Sequence, residues 1–270
     1  MAASDKEFVG SIPELYDQLL VPMLFEPYAR DLAQRAKAYH PRDLLETAAG
    51  TGAVTRALAS ELGHDTRIVA TDLNEPMLVR AKSQMPGKPD INWQQADALA
   101  LPFDDATFDL VACQFGAMFF PDRPKGYSEA RRVLKPGGRF LFNVWDRIED
   151  NHFADVVNQA VAEVFPDDPP RFLPRTPYGY HATDRIRADL AAAGFGKVEI
   201  DVVRHQGRAN SPSDPAIGFC QGSPLRGEIE ARGGVGLDAT TDHATSAVAR
   251  RFGNGAIEGR LQALVISAVA

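Results

Sequence analysis

The stretch Asp43-Leu-Leu-Glu46-Thr-Ala48-Ala-Gly50-Thr-Gly52-Ala-Val-Thr-Arg56 holds a strand, a turn and a helix start in one run. An apolar, strand-like segment ends in an acid and a Gly-x-Gly turn follows. Val54, Leu58 and Leu62 then recur at helical spacing. Gly50 and Gly52 let the backbone approach a ligand at the carboxyl end of a first strand, where open α/β sheets bind nucleotides. The acid narrows the choice further. A dinucleotide site sets its pyrophosphate at this helix N-terminus, because exposed N–H groups and the helix dipole favour an anion there. Glu46 at the strand tip repels a pyrophosphate and suits a ligand with an ammonium or sulfonium group and no phosphate. The turn also lacks the third glycine of G-x-G-x-x-G, since Thr55 stands there.

Outward from this run, strand and helix patterns alternate. Strands are expected at 44–47, 67–71, 91–95, 110–114 and 139–144, with helices at 53–62, 75–84 and 124–134 between them. Such alternation predicts a doubly wound, mostly parallel α/β sheet with right-handed crossovers. Residues 14–39 read as helix interrupted at Pro22 and Pro27. After Trp145 a helical run over 153–165 gives way to a Pro-rich segment through Pro166, Pro169, Pro170, Pro174 and Pro177, expected to be a rigid ordered loop. Helix returns at 184–193, stopped by Gly194, and strand at 198–204. Residues 211–255 read as helical, and 261–269 as a closing strand. The last two strands suggest an edge hairpin carrying a helical insertion, which makes seven strands with an antiparallel last one. Four segments follow: a helical lid over 1–40, a binding core over 41–147, a Pro-rich insertion over 148–182, and 183–270 with its insertion at 211–255.

Composition bounds the function. The 270 residues are 44% hydrophobic and 24% charged, which fits one globular domain with an added cap. A formal charge of −7 and a pI near 5.4 give no basic face for a nucleic-acid partner. The two cysteines, Cys113 and Cys220, lie far apart and without metal-ligand spacing, as expected in a reducing compartment. The polar start Met1-Ala-Ala-Ser-Asp-Lys-Glu7 lacks a signal core, and no apolar run approaches a membrane span, so a cytoplasmic protein without a membrane partner is expected. Oligomeric state is left open.

Five motifs in order resemble the class I S-adenosylmethionine-dependent methyltransferases, in the small-molecule group of the ubiquinone/menaquinone C-methyltransferases. They are Glu46-x-Ala48-x-Gly50-x-Gly52, Thr71-Asp72-Leu73-Asn74-x-x-Met77-Leu78, and Gln95-Ala96-Asp97-Ala98-x-x-Leu101-Pro102-Phe103 with Phe108-Asp109-Leu110-Val111 after it. Arg131-Arg132-Val133-Leu134-Lys135-Pro136-Gly137-Gly138 completes the set before the fifth strand. The resemblance covers about residues 40–205 and the last strand. It implies a Rossmann-like methyltransferase fold, S-adenosylmethionine as cofactor, and methyl transfer to a small molecule.

The residues admit matching roles. Asp72, at the end of a second strand, can accept from two ribose hydroxyls, or else cap the helix opening near Pro76. Asp97 can accept from the adenine amino group or simply hold its own turn. Leu73 and Met77 with Ala98 suit the adenine faces, or core packing. Gln114, Phe115 and Gly116 end the fourth strand, where backbone and ring would flank the methionine part. Tyr16 is a candidate to close over the ligand carboxylate. Transfer from a sulfonium needs chiefly alignment of the acceptor, so no catalytic residue is assigned. His152, His181, Tyr178 and Tyr180 are candidate bases for a hydroxyl or acidic carbon. Phe119, Tyr178, Tyr180, His181 and Phe219 are candidate acceptor walls for a small, partly hydrophobic molecule, and the segments 148–181 and 211–255 are expected to face each other. Two other readings are a non-catalytic S-adenosylmethionine binder and an NAD(P)-linked oxidoreductase. Glu46, the missing third glycine and the lack of a Tyr-x-x-x-Lys pair argue against the latter.

Overall fold

The computed structural model describes residues 10–86 and 91–270; the polar start at 1–7 lies outside them. Strands β1 (Asp43–Glu46), β2 (Arg67–Asp72), β3 (Ile91–Gln95), β4 (Phe108–Gln114), β5 (Leu134–Trp145), β6 (Lys197–Ala209) and β7 (Ile257–Val269) form one sheet. Its order is β3-β2-β1-β4-β5-β7-β6. The pairs β1–β2, β2–β3, β1–β4 and β4–β5 are parallel. β7 runs against β5: Gly137 donates to the Ala270 carbonyl, while Asp146, just past the strand, donates to that of Gln262. Strand order reverses between β1 and β4, the switch point at which open α/β sheets leave a crevice. The expected seven-stranded sheet is therefore the one observed, with β6 and β7 longer than their apolar runs.

The chain divides into two compact units. The first comprises Tyr28–Val144, Tyr180–Val203 and Ala263–Ala270. Its central strands are buried, as crossover helices require. Leu44, Ile68, Leu110 and Leu141 pack with Leu32, Ala33 and Ala36 of α2 (Glu26–Lys37) and with Val54 and Leu58 of α3 (Ala53–Glu61). Helices α4 (Glu75–Ser83), α5 (Arg123–Val133) and α8 (Thr183–Ala192) complete the crossovers. Between α5 and α8 the Tyr127 hydroxyl donates to that of Tyr180 at 3.3 Å, and Tyr180 donates to Asp189 at 2.9 Å. On the edge strand β6, the Val198 carbonyl accepts from Arg187 at 2.9 Å and the Val203 carbonyl from the Tyr28 hydroxyl at 3.1 Å.

The second unit holds the described residues up to Pro27, Trp145–Gly179 and Arg204–Gln262. Its helices are α1 (Ile12–Leu15), α6 (His152–Val164), α7 (Phe172–Arg175), α9 (Ser213–Gln221), α10 (Leu225–Arg232) and α11 (Leu237–Phe252). The interruption expected at Pro22 does not occur. Tyr16–Phe25 winds as a π-helix instead, and Glu26 donates back to the Val21 carbonyl. The wider turn absorbs the donor that proline lacks and relieves the clash of its ring with the preceding turn. The Pro-rich run contains one helical turn, α7, where a loop alone was expected. Glu228 of α10 accepts from the Arg171 N–H at 2.7 Å and from the Arg175 guanidinium at 2.7 Å. Phe153 of α6 meets Phe252 of α11 edge-on at 5.2 Å. The Pro-rich and C-terminal insertions thus pack on one another within this unit. Among the described residues no helix is long and apolar enough to cross a membrane.

Candidate functional site

Parallel register sets the carboxyl ends of the strands of the first unit side by side. Glu46 pairs with Ala70 and Ala112, Asp72 with Gln95, and Gln114 with Asn143. Polar side chains therefore stand at the tips of otherwise apolar strands.

After β1 the chain takes left-handed conformations at alternate residues, with φ +55° at Ala48, +56° at Gly50 and +81° at Gly52. Ala49 donates to the Thr71 carbonyl at 2.9 Å, and Gly50 donates to Asp72 Oδ2 at 2.8 Å. The two glycines serve different ends. A Cβ on Gly50 would meet nothing within 4 Å, so this position faces open space and its positive φ is the constraint. A Cβ on Gly52 would lie 3.1 Å from the Cβ of Ala81, so here glycine lets α3 and α4 close together. The second oxygen of Asp72 accepts from the Asn74 N–H at 2.8 Å. A protein carboxylate thus already takes one N–H of this turn and sets negative charge beside it, which disfavours a phosphate there.

Both acids are buried, Glu46 at 1% exposure and Asp72 at 7%. Burial lifts the Glu46 carboxyl to about 8, against a 2.6 Å hydrogen bond from the Thr55 hydroxyl that pulls the other way. Asp72 is also raised by burial, opposed by the N–H groups of Asn74 and Gly50. Withdrawn from water, the Glu46 carboxyl ionises readily only beside a positive charge. Thr55 is the residue that displaces the third glycine of a dinucleotide turn, and here it holds the acid. The Thr51 hydroxyl is buried with no hydrogen-bond partner.

The other candidate residues divide between the two units. Leu73 is 42% exposed beside Asp72, whereas Met77 is buried in α4. Asp97 is exposed and accepts from the Leu99 N–H at 2.9 Å, holding its own turn, with Ala98 half-buried beside it. Gln114 and Phe115 end β4; Phe115 is buried with φ +51° and its ring meets Tyr28 edge-on at 5.4 Å. Phe119 lies half-buried in the short turn that follows. All of these belong to the first unit, as do half-buried His181 and Tyr180, whose hydroxyl is engaged by Tyr127 and Asp189. Tyr16, Tyr178 and Phe219 belong to the second unit. There Tyr16 stacks on Phe25 at 5.0 Å, Tyr178 stacks on Trp145 at 5.9 Å, and Phe219 is buried in α9. Burial drives the Tyr178 and Tyr180 phenols upward. His152 is pushed down, first by burial, and its Nδ1 accepts from the Arg260 N–H at 3.3 Å.

Sequence reasoning missed Asn143, and it placed Gly116 at the fourth strand end without its contact to the first turn. A Cβ on Gly116 would run into the Cβ of Ala48, so the β4 tip lies directly against the first turn. Asn143 is the lone amide in the apolar run of β5, and that isolation was the available signal.

The donor set fits a particular ligand chemistry. Glu46, Asp72, Asp97 and Gln114 are acids and an amide, with open space above Gly50. Such a lining suits hydroxyl, amino and cationic groups and is poorly suited to phosphates. Comparison with known proteins agrees. Residues 45–142 match the family model described as a methyltransferase domain. A demethylmenaquinone methyltransferase of Deinococcus radiodurans is 30% identical over 203 residues, covering 70% of this chain and 84% of that protein. One from Thermus thermophilus is 33% identical over 166 residues, covering 57% and 74%. In fold, the chain is similar to the solved structure of the YcgJ protein from Bacillus subtilis, with a TM-score of 0.56 at 22% identity, covering 90% and 98%.

Proposed function

Because the chain belongs to the class I S-adenosylmethionine-dependent methyltransferases, we propose that it methylates a small, partly hydrophobic acceptor, with a carbon of a reduced quinone ring as first candidate. The observation that carries the binding half is the pair of buried acids at the tips of β1 and β2. The acceptor half is supported by the demethylmenaquinone methyltransferases among its relatives.

In this reading each Asp72 oxygen, having taken one backbone N–H, keeps a lone pair for a ribose hydroxyl. Glu46 supplies negative potential toward the cationic end of the donor. Leu73 offers apolar surface to the adenine, Asp97 an acceptor for its amino group, and Gln114 and Phe115 flank the methionine part. When bound, the donor would supply the methyl group and leave as S-adenosylhomocysteine, and the proton lost by a carbon or hydroxyl acceptor would pass to solvent water. Tyr178 and Tyr180, held above the ordinary phenol range, are poor bases, and His152 already spends Nδ1 on Arg260. Because a sulfonium is already a reactive methyl donor, alignment of the acceptor and exclusion of water carry the rate in this reading, a contribution of ~7–11 kcal/mol in well-oriented systems. The test is release of S-adenosylhomocysteine from the donor with a reduced demethylated naphthoquinone, simple phenols, amines and thiols. Turnover confined to ring acceptors is expected; turnover on an aliphatic amine alone would overturn the acceptor reading.

A further inference from the structure

β5 reads Arg139-Phe-Leu-Phe-Asn143-Val-Trp145, and Asn143 is completely buried. A buried amide must find partners for both its ends. Asn143 Oδ1 accepts the Phe115 N–H at 2.9 Å, and the main-chain carbonyl of Asn143 shares that N–H at 3.2 Å. Its Nδ2 donates toward Gln114 Oε1 at 3.5 Å, a long contact. All these contacts fall on the two residues that end β4.

Phe115 needs such a hold. An aromatic residue at φ +51° is strained, and surrounding contacts must over-determine the conformation for it to persist. The turn at Phe115 brings Gly116 against Ala48, which is itself left-handed at φ +55° and opens the Gly50–Gly52 turn. Asn143, Phe115, Gly116 and Ala48 therefore form a chain of contacts from β5 through the β4 tip into the first turn.

We infer that Asn143 is a positioning residue for methyl transfer: it fixes the left-handed backbone of Phe115, so that Gly116 buttresses the Ala48–Gly52 turn and Gln114 keeps its direction. The inference rests on the reading above, in which that turn and Gln114 hold the donor. A residue that merely filled the core would be replaced well by leucine, of similar size and suited to this strand. A residue that holds Phe115 would not, because leucine leaves the Phe115 N–H only the longer bond to the main-chain carbonyl, and Phe115 then relaxes toward negative φ and draws Gly116 away from Ala48.

The experiment is a double-mutant cycle read by calorimetric titration with S-adenosylhomocysteine. N143L should weaken binding tenfold or more. F115G loses its ring and binds less well by itself, but glycine takes a positive φ unaided, so N143L should cost under threefold in that background. N143D keeps the acceptor for the Phe115 N–H and should stay within fivefold of wild type. A folded N143L that binds within twofold of wild type, or an equal cost in both backgrounds, overturns the inference. Should N143L fail to fold, N143A runs the same cycle. Wild-type protein that does not bind S-adenosylhomocysteine would sink the site reading itself, whereas normal binding with a flat cycle sinks only the role of Asn143.

Discussion

Gly50 gives its backbone N–H to Asp72 at 2.8 Å, so the turn after the first strand is tied to the tip of the second by one buried carboxylate. Asp72 thus has an architectural task besides any ribose contact. Asp72→Ala removes both, and charge-assisted bonds are worth about 1.5–3 kcal/mol each, so S-adenosylhomocysteine binding should weaken at least tenfold to a hundredfold. Because Asp72 is buried, a lower melting temperature is expected as well. Asp72→Asn keeps the acceptor that faces Gly50 and should recover more of the stability than of the affinity. Calorimetric titration beside thermal melts separates the two.

The Glu46 carboxyl sets a pH dependence. Burial raises it from 4.5 to about 8, so the stability it contributes is full below about pH 4.5 and is lost as pH climbs through about 8. Glu46→Gln should therefore gain on wild type in thermal melts from pH 5 to pH 8.5. Donor affinity runs the other way. A cation beside Glu46 favours its ionised form, so S-adenosylmethionine should bind up to about tenfold more tightly per pH unit between pH 6 and 8. A wild-type profile as flat as that of the Gln variant would remove Glu46 from the site.

Two left-handed glycines give a paired control. Gly50 at φ +56° and Gly63 at +72° both leave room for a side chain, so valine at either meets backbone strain and no clash. Gly63 follows the last turn of α3, and Gly63→Val should cost about 1–2 kcal/mol of stability with unchanged binding. Gly50→Val should abolish binding of S-adenosylhomocysteine. Equal binding by both variants would mean that the turn does not face the ligand.

Tyr178 and Phe219 are buried in the second unit, so their alanine variants would lose about 3–5 kcal/mol by cavity formation alone. Tyr178→Phe is the informative change. With its phenol driven upward by burial, Tyr178 should not act as a base, and turnover should stay within about twofold across pH 6–9. A pH-dependent loss of turnover would restore it as a catalytic group.

The parallel strands were legible because burial on both faces leaves apolar runs such as Leu110–Cys113. The seat of the acids was legible too, since Glu46 and Asp72 each close such a run. Other features depend on tertiary partners that no local pattern encodes. Pro22 reads as a helix breaker, yet a π-turn accommodates it. Ala48 and Phe115 carry no local sign of left-handed backbone, and their neighbours Gly116 and Asn143 come from other strands. Nor does any local pattern announce that the Tyr180 hydroxyl is held between Tyr127 and Asp189.

The outer rim of the sheet has a bearing on how the chain behaves in a crowded solution. An edge strand as long as β6 is ordinarily an invitation to a stray strand from another molecule. Here two of its carbonyls are already taken, by Arg187 and by Tyr28, and Lys197, Glu199, Asp201, Arg204 and Arg208 stand exposed along it. An intruding strand must bury those charges to add itself, and fibre growth from this rim is therefore disfavoured.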